Sequence, residues 1–195
     1  MIFDTHAHYD DERFDPDRHE LLPSMPEWGI GLILNPGCNG ETSRKAVEYA
    51  NRYPHVYAAV GWHPHDADEF GPESAELIRS LCLDPRVRAI GEIGLDYYYD
   101  FSDRESQRRA FRAQMELARE LHKPVIIHDR DAHGECMEII KEYPDVPGVF
   151  HCYSGSAEMG RQLTDMGWYL SFTGAITFKT PARCWKLSRY APLTK

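Results

Sequence analysis

Short apolar runs separated by helical patterns recur along the whole chain, and this alternation limits the fold more than any other feature. The runs are Ile2-Phe3-Asp4, Ile30-Gly31-Leu32-Ile33-Leu34, Val56-Tyr57-Ala58-Ala59-Val60, Val87-Arg88-Ala89-Ile90, Pro124-Val125-Ile126-Ile127, Gly148-Val149-Phe150 and Trp168-Tyr169-Leu170-Ser171-Phe172. Most are continuous in hydrophobicity, as parallel strands covered on both faces must be. Between them, Ser102-x-x-Glu105 predicts a capping box opening a helix to about Leu121, with Phe111, Met115, Ala118 and Leu121 on one face. Residues 131–143 place Cys136, Ile139, Ile140 and Tyr143 on the face of another helix. Ser156 is positioned to cap a helix that Gly167 ends, and Pro181 suits a first helical position. The first connection is a weaker helix because Pro23 and Pro26 interrupt it. Repeated strand–helix units define a parallel α/β fold, either an open sheet or a barrel.

Polar residues decide between the two. In a (β/α)8 barrel, functional groups stand at the carboxyl ends of many strands, whereas an open sheet gathers them near one switch point. Here His6, His8, His63, His65, His128 and His151 all fall at or just beyond strand ends, spread over four different runs. No Gly-x-Gly-x-x-Gly turn or Walker-type loop occurs. The pattern selects a barrel of seven βα units.

His6-Ala7-His8 follows the first run, and strand alternation puts both imidazoles on one face about 6–7 Å apart. Glu92, in Gly91-Glu92-Ile93-Gly94-Leu95-Asp96 after the fourth run, is an acid where burial is costly unless it is paired or metal-bound. His128 ends the fifth run and His151 the sixth. One such residue alone is more often a satisfied core group. Five ligand-type residues at four strand ends fit a pair of divalent cations bridged by one carboxylate.

The neighbouring residues are assigned more modest roles. His63, in Gly61-Trp62-His63-Pro64-His65, is read as a substrate contact, and His65 is left open. Arg130 is placed to bind an anion, and Asp96 to support the site or touch substrate. Tyr97, Tyr98 and Tyr99 read as rim packing, with Tyr97 within reach of substrate. His19, His55, His122 and His133 read as surface residues, and Arg104, Arg108, Arg109 and Arg112 as a solvated helix face. Cys38, Cys82, Cys136, Cys152 and Cys184 form no Cys-x-x-Cys pair and read as reduced thiols.

Thr5-His6-Ala7-His8, Gly61-Trp62-His63-Pro64, Gly91-Glu92-Ile93-Gly94-Leu95-Asp96-Tyr97, His128-Asp129-Arg130 and His151-Cys152-Tyr153-Ser154-Gly155 together resemble the TatD family of metal-dependent deoxyribonucleases and hydrolases. The resemblance runs from Met1 to about Pro192 and implies a TIM-type barrel of the amidohydrolase-like kind. It implies that His6 and His8 hold one ion, that Glu92 bridges, and that His128 and His151 hold the second. The family completes the first ion with an Asp after its eighth strand, in a Glu-Thr-Asp motif that this sequence lacks. The expectation is therefore a single incomplete domain over residues 1–195, a gene fragment with impaired activity and unpaired barrel edges that favour self-association.

The formal charge of -9 gives no general attraction to nucleic acid. Two divalent ions and one carboxylate would reverse this locally, leaving about +3 in the cavity. The expected reaction is two-metal hydrolysis of a phosphodiester in DNA by activated water, with Mg, Mn or Zn as the ions. The competing readings are hydrolysis of an amide or aminoacyl ester and an inactive metal-binding remnant. Without a basic and apolar leader or a span of about 20 apolar residues, the expected location is the cytoplasm, away from membranes.

Overall fold

The computed structural model describes residues 1–174. Seven strands form one parallel sheet: β1 (Ile2–Asp4), β2 (Ile30–Pro36), β3 (Val56–Val60), β4 (Val87–Asp96), β5 (Val125–Arg130), β6 (Gly148–Phe150) and β7 (Tyr169–Leu170). Each strand pairs with the next in sequence, giving the order β1-β2-β3-β4-β5-β6-β7. The sheet curls until its first and last strands approach at their carboxyl ends. There the Thr5 and Ser171 hydroxyls lie 3.4 Å apart, and the His6 and His151 rings stack at 3.6 Å. This is the architecture of a parallel barrel, as the distribution of histidines predicts. The expected absence of an eighth strand and the helix start at Pro181 fall outside the described residues.

The helices are α1 (Arg18–Ser24), α2 (Gly40–Arg52), α3 (Pro72–Leu81), α4 (Arg104–Glu120), α5 (His133–Lys141) and α6 (Ala157–Asp165). Pro23 lies inside α1, which is only seven residues long and passes into a 3-10 turn at Met25–Trp28. At α6, Ser156 accepts from the Met159 N–H and Gly167 follows at φ +85°, the cap and stop expected from the sequence. At α4 the cap differs. Asp103, not Ser102, accepts from the Glu105 and Ser106 N–H groups, while the Ser102 hydroxyl donates to the His65 carbonyl. A carboxylate one residue on is the stronger acceptor, which frees the serine for the loop after β3.

The main core lies between sheet and helices, where Phe111 and Met115 of α4 pack with Ile90, Ile93, Ile127 and Phe150 of the strands. The second departure from expectation is the length of β4. It continues through Gly91-Glu92-Ile93-Gly94-Leu95-Asp96, so this motif lies in the strand rather than after it. Pairing with β5 slips between Ile90 and Ile93, and a slip of this kind re-aims the side chains it spans. Gly94 sits at φ +140° so close to β5 that an added Cβ would fall 2.0 Å from the His128 carbonyl oxygen. That close approach sets Glu92 and His128 side by side. Gly94→Ala is expected to cost more than about 2 kcal/mol, through both the clash and the strained φ, in urea unfolding. Unchanged stability would contradict this account of the β4–β5 contact.

Candidate metal centre

Glu92 is only 3% exposed, and a bare carboxylate at that depth is unfavourable. Five imidazoles from four strand ends surround it. On the Oε2 side stand His6 Nε2 at 3.3 Å and His8 Nε2 at 3.5 Å. On the Oε1 side stand His128 Nδ1 at 2.9 Å, His151 Nε2 at 3.1 Å and His63 Nε2 at 3.9 Å. The two carboxylate oxygens thus face different sets of histidines.

The protonation of the site follows from burial and neighbours. Burial pushes His6 down to about 4 against the pull of Glu92, and His63 down to about 3, so both offer lone pairs at neutral pH. Burial opposes charge on His128 too, but hydrogen bonds to Asp96 and Glu92 outweigh it and hold this group up at about 9. For Glu92, burial opposes ionisation, but the imidazoles around it, His6 foremost and with bonds from His128 and His151, outweigh burial and hold it well below the usual carboxylate range.

Fixed polar groups hold these side chains in place. The buried Asp96 accepts on Oδ2 from His128 Nε2 at 3.0 Å and His65 Nε2 at 2.8 Å. Its Oδ1 accepts from the Tyr98 and Tyr99 backbone N–H groups at 3.0 and 2.9 Å. Behind His8, Asp10 lies 3.8 Å from Nδ1 and is itself bonded by the buried Asn35. Two buried glutamines of α4 do the same for the loops. Gln114 accepts from the Trp62 N–H and donates to the Trp62 carbonyl, while Gln107 bonds both backbone groups of Asp96.

The donor set fits divalent cations. His6 Nε2 and His8 Nε2 are 2.9 Å apart and each lies within 3.5 Å of Glu92 Oε2. Such edges are close to the ~3.0–3.4 Å between ligands that share one ion at about 2.1 Å. The buried Nδ1 atoms of His6 and His151 have no hydrogen-bond partner among the described residues. Neutral imidazole nitrogens crowding one another around a buried carboxylate are the donor chemistry that a divalent cation takes. The ligand-type triads within bonding reach are His6–Glu92–His151, His8–Cys38–Glu92 and His63–Glu92–His128.

All five sequence-derived ligand candidates therefore converge. His63, read as a substrate contact, lies on the same wall, with its ring 4.3 Å from that of His128. Arg130 stands at the rim over Tyr98, at 4.5 Å from the ring centre. Asp96 faces histidines rather than the open mouth. Tyr97 donates its hydroxyl to Glu135 and accepts from Arg108, linking α4 to α5. Of the histidines read as surface residues, His55 is half-buried and bonded to the Leu22 carbonyl, and His19 to the Tyr53 hydroxyl. Cys38, Cys82, Cys136 and Cys152 are unbridged as expected, and Cys184 lies outside the described residues. Cys38 was missed as a neighbour of Glu92. Its position two residues after β2 was the available signal, by the same rule that selects the histidines.

A parallel barrel with a histidine-ringed carboxylate at its strand ends defines a class of metal-dependent hydrolases. The profile of the TatD related DNase family matches residues 3–195, and the chain belongs to that family. It is 41% identical over 181 residues to the uncharacterized metal-dependent hydrolase YabD of Bacillus subtilis (strain 168), covering 92% of this chain and 71% of that protein. To the 3'-5' ssDNA/RNA exonuclease TatD of Salmonella typhimurium it is 36% identical over 177 residues, 90% of this chain and 68% of that one. The crystal structure of YJJV, a TatD homolog from Escherichia coli k12, superposes with a TM-score of 0.90 at 28% identity, covering 98% of this chain and 75% of that one.

In the metal-free chain, the His128 imidazole followed by NMR is expected to titrate near pH 9. Asp96→Asn should move that midpoint down by about 1–3 pH units, as loss of an adjacent opposite charge does. An unmoved midpoint would contradict the assigned ion pair. Because an entering cation must displace this proton, metal uptake should tighten as the pH rises toward that value.

Proposed function

We propose that the chain is a metal-dependent hydrolase that cleaves phosphodiester bonds of DNA or a related single-stranded nucleic acid with two divalent cations. The carrying observation is the division of Glu92 between two histidine sets, one on each oxygen. His6 and His8 would hold one ion, His128 and His151 the other, with Glu92 between them. An imidazole-rich set favours Zn or Mn over Mg. When bound, the cations supply Lewis-acid activation of water and neutralise charge at phosphorus.

The chain's own residues provide placement. Glu92, ionised and buried, is the proposed catalytic carboxylate that keeps both histidine sets in register. Asp96 orients His128, and the bonds from Gln107 and Gln114 to backbone keep the β3 and β4 ends from shifting. His63 and Arg130 are the proposed phosphate contacts: His63 stands 3.9 Å from Glu92, and Arg130, over the Tyr98 ring at the rim, has no carboxylate partner among the described residues. The relatives' activity on ssDNA and RNA supports this substrate class. The acidic exterior gives no general attraction to nucleic acid, and cations held at the site would add positive charge where the phosphodiester is cut.

The test compares a labelled DNA oligonucleotide with cyclic-amide and aminoacyl-RNA substrates, with and without EDTA. DNA cleavage is expected to vanish on chelation and to fall more than about 100-fold in Glu92→Gln and His128→Ala. Turnover of an amide or ester alone would replace the nuclease reading. Metal uptake without turnover of any substrate would mark an inactive metal-binding chain.

A further inference from the structure

An aromatic surface adjoins the metal centre, and neither the fold nor the hydrolysis accounts for it. The residues after β4 leave Tyr98, Tyr99 and Phe101 exposed at 58%, 49% and 68%. Exposing three large rings within four residues is unfavourable unless something covers them. Tyr99 and Phe101 stack on one another at 5.3 Å with 30° between planes. Both meet His65, at 5.5 and 4.8 Å, and the His65 ring in turn lies 4.3 Å from His63. The surface therefore begins one side chain away from the histidines around Glu92. Tyr98 and Tyr99, read as rim packing, meet one another and Arg130 there while leaving about half of each ring open.

Charge identifies the occupant. The Arg130 guanidinium lies over the Tyr98 ring at 4.5 Å and the Tyr99 ring at 5.5 Å. It has no carboxylate partner among the described residues, unlike Arg104 and Arg108 nearby, which are paired with acids. A flat apolar face beside an uncommitted guanidinium matches a ring attached to an anion, which is the chemistry of a nucleotide. The loop is also rigidly joined to the centre: Asp96 holds the Tyr98 and Tyr99 N–H groups with one oxygen and His65 and His128 with the other.

We propose that Tyr99 and Phe101, flanked by Arg130, form a stacking subsite for an unpaired nucleobase of the strand being cut. This rests on the phosphodiesterase reading and adds a reason for preferring single strands, because paired bases do not offer a free face. Stacking does not read the sugar, so DNA and RNA strands share the subsite.

The test measures fluorescence anisotropy of the full chain, in EDTA so that no turnover intervenes, with octathymidylate, octauridylate and an abasic strand of equal length. The wild type is expected to bind either base-containing strand about 5- to 150-fold more tightly than the abasic one. Phe101→Ala and Tyr99→Ala should remove that preference with abasic binding unchanged, and Phe101→Trp should retain it. Preference over the abasic strand for only one of the two sugars would overturn the statement that DNA and RNA strands share the subsite. Equal wild-type affinity for all strands, or alanine variants that weaken abasic binding equally, would overturn the proposal. Base preference without cleavage in metal counts against the phosphodiesterase reading alone, and cleavage without base preference against the subsite alone.

Discussion

The ionisation of Glu92 inside the strand ends is the constraint from which the rest of the site follows. A carboxylate with 3% exposure stays charged only among compensating groups, and here these are imidazoles from the ends of β1, β3, β5 and β6. Imidazoles can leave that compensation to a metal, whereas arginine or lysine in their place would exclude one. The choice of histidine converts a buried charge from a structural ion pair into a site that accepts cations.

Holding that arrangement requires rigidity beyond the ligands. The slip between β4 and β5 brings Glu92 beside His128, and Gly94 is the residue that allows the two backbones so close. Asp96 then joins the histidine wall to the aromatic loop, and Gln107 and Gln114 tie both to α4. The centre and its rim are in this way one connected polar network resting on α4, the longest of the described helices.

Much of this was legible in the sequence because strand ends in a parallel barrel all point to one mouth. Continuous apolar runs located the seven strands, and histidines just past them located the group that surrounds Glu92. What was not legible follows from the same physics. Gln107 and Gln114 fall at i−4 and i+3 from Phe111, on the apolar face of α4, so their spacing points to burial but not to the strand backbone they bond. The length of β4 was underestimated because glycines and a carboxylate read as a strand's end, although here they occupy a slip within it. Cys38 was passed over because a thiol outside any Cys-x-x-Cys pair reads as an ordinary reduced cysteine, although it follows β2 by two residues.

The most direct test is anomalous diffraction from crystals of the chain grown in manganese, with data at the manganese edge. The account predicts two peaks flanking Glu92, one beside His6 and His8 and one beside His128 and His151. A single peak away from Glu92, or none at full manganese loading, would contradict it.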